Sequence, residues 1–167
     1  LWELFLNCND PATELIDDFA MARNHALSLA SGDFHIWIDA DDVLLGGENL
    51  RALCDSAPPE ALFLVAYDYQ HDAQGRPTCI HWRETLVRPR ASWKWSIPVH
   101  EVLMPQGIAP VPQITHAIKR VHRRELNTRA PDPERNLRIL KKYVDRMGEG
   151  DVRALYYLGV EYSMRGD

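Results

Sequence analysis

Three aspartates, Asp39, Asp41 and Asp42, stand directly behind an apolar run at residues 34–38, in the stretch GDFHIWIDADDVLL. The run is short and rich in aromatic and β-branched residues, which is the composition of a buried strand. Carboxylates crowd the end of such a strand only where something offsets their charge, so a cation is expected beside them. Upstream, Phe19, Ala22, Ala26 and Leu29 recur at helical spacing from Asp18, and Gly32 is placed to close that helix. A helix feeding a buried strand indicates α/β organisation, in which ligands gather at the carboxyl ends of strands. That is where the aspartates fall, and the reading makes residues 34–38 a central strand.

The rest of the chain continues the pattern. Residues 1–6 read as a short strand broken by Asn9-Asp10-Pro11. Gly46-Gly47 marks a turn, residues 48–54 a short helix ending before Pro58-Pro59, and residues 61–69 a second buried strand. The Gln-Gly-Arg-Pro turn within residues 71–77 lets residues 78–88 return as a hairpin partner. Five prolines and two tryptophans in residues 89–115 predict loops with short strands. After Pro131, Asp132 is placed to cap a helix with Pro133 in its first turn, and Leu137, Leu140, Val144 and Met147 form its apolar stripe. Gly148-Glu149-Gly150 ends that helix and Asp151 caps the next.

Net charge, −5 overall, is unevenly spread. Residues 1–72 carry fourteen Asp/Glu against Arg23 and Arg51, a surface that repels nucleic acid and suits a divalent cation. Residues 117–153 carry eleven Lys/Arg against six Asp/Glu, which reads as a solvated helical face. No apolar run approaches the ~20 residues of a membrane span. Three cysteines, Cys8, Cys54 and Cys79, are widely spaced without a CxxC pair. They read as small buried hydrophobes in a reducing, cytoplasmic setting.

Asp39 and Asp41 are separated by one residue, so in the turn after a strand their carboxylates can converge on one ion. Oxygen donors suit hard cations, Mn2+ or Mg2+, which keep open positions for a diphosphate. The competing role, a side-chain cap on the following turn, fits Asp42 best.

The segment DFAMARNHALSLASGDFHIWIDADDVL, residues 18–44, resembles family 2 glycosyltransferases with the GT-A fold, in which Ala-Arg-Asn, a Gly-Asp turn, an apolar strand and Asp-x-Asp follow one another. The resemblance implies a metal-dependent inverting transfer from a nucleotide-diphosphate sugar to an acceptor hydroxyl. It assigns Arg23, Asn24, Asp39 and Asp41 to the nucleotide sugar, and Asp39 and Asp41 to the metal. The segment WKWSIPVHEVL, residues 93–103, is similar to a Trp-x-x-x-Val-His-Glu element of a bacterial branch. By its place, Glu101 is the candidate base, with an ion pair to an arginine such as Arg83 or Arg88 as its structural alternative. His116 stands where many such enzymes carry a late metal-binding histidine, and His100 is a second possibility. Trp93 and Trp95 are placed either to stack on a saccharide, lipid-linked or peptide acceptor or to fill the core.

Leu155, Leu158, Gly159 and Tyr162 occupy the W-x2-L-G-x2-Y places of a tetratricopeptide repeat (TPR), a surface for a protein partner. The expected division is therefore a partial, Rossmann-like GT-A sheet over residues 1–128 and a helical extension over 129–167. The strand–helix–strand that opens a complete GT-A domain has no counterpart before Asp18, so the sequence reads as truncated at both ends. Two rivals remain. One is a non-catalytic binding scaffold with a vestigial site. The other is a haloacid-dehalogenase-like phosphatase with Asp39 as nucleophile and Asp41 as acid/base, although Val43 takes the place of that family's threonine.

Overall fold

The computed structural model describes residues 9, 15–88, 93–107, 109–126, 132–148 and 150–166. The strand expected at residues 1–6, Cys8, Pro131 and the 128/129 division lie outside these. In chain order the elements are α1 (Phe19–Leu29), β1 (His35–Ile36), β2 (Asp42–Leu45), α2 (Leu50–Ser56), β3 (Ala61–His71) and β4 (Pro77–Val87). There follow β5 (Trp93–Ser96), β6 (Val102–Pro105), β7 (Val111–His122), α3 (Arg135–Met147) and α4 (Val152–Ser163). The class is α/β, a curled mixed sheet accompanied by helices, with helices at the C-terminal side. Among the described residues no helix is long and apolar enough to cross a membrane.

The chain forms two compact units. One, Ala30–Trp93 with Pro105–Arg129, holds a five-stranded sheet in the order β1-β4-β3-β7-β2. Only β3 and β7 run parallel; the other neighbours are antiparallel. β3 is central because ALFLVAY alternates strictly, burying Ala61, Phe63, Val65 and Tyr67 on one face. Ala61, Phe63, Val65, Leu86 and Ile118 make the core, with Phe34, Ile36, Leu44, Leu50 and Leu53 packed against it.

The expectation of a central strand at residues 34–38 is corrected here. Only His35 and Ile36 join a ladder, at the edge, paired to Val87 and Leu86 of β4. The Asp39–Asp42 turn, closed by Asp42 N donating to Asp39 O at 3.0 Å, then carries the chain to β2 on the opposite edge. One turn can join the two edges only because the sheet curls strongly. Burial of the run is accordingly partial: His35 and Trp37 are buried, Phe34 and Ile36 half-buried, and Ile38 is 40% exposed. The TPR-like positions lie on α4, where Leu155, Leu158 and Tyr162 are half-buried and the space beside Gly159 is open.

β7 was not anticipated, and it is the strand that completes the site. Val65 opposes Thr115 but Ala66 opposes Lys119, so residues 116–118 bulge out of the parallel ladder. The bulge is tied down by Asn49 Nδ2, which donates to Ala117 O at 2.9 Å. Gly46, at φ 73°, comes so close that a Cβ there would lie 2.2 Å from Ala117 O. Gly46→Ala should therefore destabilise the protein by at least about 2 kcal/mol in a urea melt, since left-handed backbone alone costs ~1–2 kcal/mol with a Cβ. An unchanged midpoint would show that the bulge relaxes freely.

The second unit, Leu1–Leu29 with Lys94–Met104 and Ala130–Asp167, holds α1, the β5–β6 pair, α3 and α4. Asp18 Oδ1 caps α1 by accepting from Met21 N at 2.7 Å. Gly148, at φ 73°, follows α3, and Asp151 Oδ1 caps α4 by accepting from Ala154 N at 3.1 Å, both as the sequence indicates. The core is Ile97, Val99, Ile139, Leu140 and Ala154, with Phe19, Tyr143 and Tyr157 against it. The stripe of α3 is rotated from the expected one: Ile139 and Leu140 are buried, whereas Met147 is 58% exposed at the helix end.

Candidate functional site

The compensating cation beside the aspartates is the chain's own. Arg120, on β7, is fully buried and its Nη2 donates to Asp42 Oδ2, with Asp39 Oδ2 at 3.8 Å. Its guanidinium lies between two ring faces, 3.8 Å from the Trp37 centroid and 4.3 Å from that of Tyr67. Nε and Nη1 have no hydrogen-bond partner among the described residues, so these rings take much of that role. Asp42 is saturated: Oδ1 accepts from Tyr67 Oη at 2.8 Å, and Oδ2 accepts from Asp39 N at 3.2 Å as well as from Arg120. Burial pushes the Asp42 carboxyl up, but the hydrogen bond and charge of Arg120, with help from Tyr67, outweigh it and hold it below the usual carboxylate range. Burial, and then the bond to Asp42, push the Tyr67 phenol far above its ordinary value.

Asp42 therefore fixes the turn, the structural role expected of it, and Asp39 and Asp41 precede it on either side of Ala40. Their side chains are 38% and 19% exposed. His122, at the end of β7, brings Nδ1 to 3.8 Å from Asp41 Oδ1 and 3.3 Å from Asp42 Oδ1. Pairing of Asp42 with His122 across β2 and β7 sets this meeting. Among the described residues, Asp41, Asp42 and His122 offer ligand atoms within 4.8 Å of one another, with carboxylate oxygens and an imidazole as donors. His116 is not in this group; it lies in the β7 bulge, its ring edge-on to Trp82 at 5.3 Å. Tyr69 stacks on His122 at 5.4 Å and meets His81 edge-on at 5.5 Å, lining the same face.

Of the other proposed residues, Arg23, Asn24, Trp95, His100 and Glu101 belong to the second unit, and Trp93 ends the first segment of the sheet-bearing one. Arg23 Nε donates to Glu101 Oε1 at 2.6 Å, with side chains 18% and 13% exposed. This is an arginine pair, with Arg23 in the position that Arg83 or Arg88 was expected to take. Asn24 is a clip between α1 and β5: Nδ2 donates to Trp95 O at 2.9 Å, and Oδ1 accepts from Trp95 N at 2.8 Å. Trp93 and Trp95 are buried, 4% and 1% exposed, and the Arg23 guanidinium lies 5.1 Å from the Trp95 ring centroid. As folded, neither indole offers an open face to a sugar. His100 stacks on Tyr157.

Arg120, His122 and Tyr67 escaped the reading of the sequence. The basic run around Lys119, Arg120, Arg123 and Arg124 suggested a solvated helix, and the bulge breaks the alternation that would have marked a strand. The signal available was the demand of three aspartates for a cation, which applied to any arginine in the chain.

No family model matches the chain. Over 93 residues, 54% of its length, it is 31% identical to a TPR repeat-containing protein of Synechococcus elongatus. The chain spans 22% of the length of that curated relative. A match of 93 residues is longer than residues 129–167, so it takes in residues outside that helical extension.

Proposed function

We propose that this chain contributes the cation-binding and catalytic parts of a metal-dependent inverting glycosyltransferase, acting on a nucleotide-diphosphate sugar and an acceptor hydroxyl. The observation that carries the reading is the meeting of Asp41 and His122 beside an aspartate already neutralised by Arg120. Arg120 pairs with Asp42 and approaches Asp39, and the carboxylate oxygens of Asp39 and Asp41 are of the kind that suits Mn2+ or Mg2+. Asp41 and His122 would hold the ion, with Asp39 beside them. Bound there, it would supply positive charge for a leaving diphosphate. Glu101 would accept the proton of the acceptor hydroxyl, with Arg23 fixing its carboxylate. The TPR-like spacing of Leu155, Leu158, Gly159 and Tyr162 on α4 supports a protein partner for residues 129–167. The compartment proposed is the cytoplasm.

Calorimetric titration with Mn2+ tests the site. Asp41→Asn and His122→Ala should each weaken binding about ten-fold or more, the usual cost of losing a ligand or its support, while His116→Ala should change nothing. Loss with His116→Ala instead would return the histidine role to the bulge. A protein that binds neither Mn2+ nor a nucleotide sugar would be a scaffold with a vestigial site.

A further inference from the structure

The loop between β5 and β6 carries Glu101 and holds a backbone that its own sequence does not favour. Ile97 has φ 68° and His100 φ 56°, two left-handed residues without a glycine between them. A β-branched residue at positive φ is rare, and such a conformation persists only where the surroundings over-determine it. Several contacts do so. Ile97 and Val99 bury their side chains against Ile139, Leu140 and Ala154. Pro98 O accepts from Phe19 N at 2.8 Å. The remaining anchors all come from α4. The His100 ring lies flat on Tyr157, centroids 4.0 Å apart and planes 8° apart. His100 O faces the Arg153 guanidinium at 3.4 Å, and His100 Nε2 stands 3.7 Å from Glu161 Oε1. Arg153, Tyr157 and Glu161 are spaced four residues apart, so one stripe of a single helix grips the loop. Glu161 is itself fixed by Arg165 Nη1 at 2.7 Å. One residue beyond His100, Glu101 meets Arg23 of α1.

We infer that α4 is a clamp that aims Glu101, with His100 and Tyr157 as positioning residues; the inference rests on the reading of Glu101 as the base. The repeat-like helix is then part of the catalytic unit. A ligand or partner that displaces α4 from the loop lowers turnover without touching the donor site.

Hydrogen exchange on the full-length protein tests the clamp without reference to activity. In Tyr157→Leu, which keeps an apolar body in the core, the peptide spanning residues 96–102 should exchange about ten-fold faster or more, as local opening becomes easier. Tyr157→Phe keeps the stack and should match the wild type. His100→Asn tolerates the left-handed backbone but removes the ring, and it should loosen the same peptide while leaving α4 protected. Unchanged exchange in both Tyr157→Leu and His100→Asn overturns the clamp. Where sugar transfer is measured, the two loosening variants should lower kcat about ten-fold with the donor KM held, and Tyr157→Phe should restore it. Loosened exchange with normal kcat overturns the positioning role. A wild type without transfer refutes the sugar-transfer reading and with it any role in aiming a base, whereas the exchange data still judge the clamp.

Discussion

Arg120→Met should cost the sheet-bearing unit about 3–5 kcal/mol, the penalty for stranding a buried carboxylate whose cation has been removed. Asp42 and Arg120 are both wholly inaccessible as side chains, so water does not replace the lost partner. Methionine fills the space between Trp37 and Tyr67 without charge, which isolates the electrostatic loss from a cavity effect. Urea denaturation measures it, and Asp42→Asn added to Arg120→Met should recover most of the loss. A double variant no more stable than Arg120→Met would mean that the ring contacts, not the ion pair, carry Arg120. The same pair fixes the acid limit. The Asp42 carboxyl is held below its unfolded value of 3.8, so its contribution is present above that pH and disappears as pH falls through the folded value. Tyr67 acts at the other extreme. Its phenol stays protonated in the folded state above pH 10.0, where the unfolded chain releases the proton, so stability falls as pH rises beyond that point. Tyr67→Phe should flatten the alkaline limb of the stability profile.

Glu101→Gln in the full-length protein should lower transfer by ~10²–10⁴-fold while leaving donor affinity intact, because it removes proton affinity but keeps the shape of the side chain. The ion pair with Arg23 makes a control necessary. The amide still offers Arg23 Nε an oxygen, but without charge, and the pair is mostly buried, so melting should reveal a loss of about 1–2 kcal/mol. Arg23→Gln removes the same pair and leaves the carboxylate. If Glu101 serves only as a structural partner, both variants should lower turnover alike. If it is the base, Glu101→Gln should fall at least ten-fold further than Arg23→Gln. Comparison of the two rates at saturating donor decides between them.

Much of the fold was legible because it is written in local signals. The helical spacing from Asp18 marks a helix, Asp151 caps another, Gly148 closes one, and the Gln-Gly-Arg-Pro turn reverses β3 into β4. What was not legible depends on pairing between distant segments. Residues 34–38 have the composition of a central strand, yet their place at the edge is set by β4, some fifty residues later in the chain, and by the curl. Arg120 and His122 reach the aspartates only through the register of β2 on β7, in which Asp42 faces His122. Local periodicity carries no record of that register. It also misled: charge at Lys119, Arg120, Arg123 and Arg124 resembles a wet surface, whereas one of the four is among the most deeply buried side chains described.

The edges of the curled sheet are short. β1 contributes two residues and β2 four, while the strands between them run to eleven or twelve. A sheet propagates into fibrils or swapped dimers through long rows of unpaired N–H and C=O groups at its borders, and brief borders deny an incoming strand a template. At the β2 border the Asp39–Asp42 turn adds carboxylates, which repel a second copy of the same acidic segment. The turn that gathers the aspartates therefore also guards the sheet against self-association. Neutralising Asp39 and Asp41 together would test this duty, and light scattering at high protein concentration would reveal its loss.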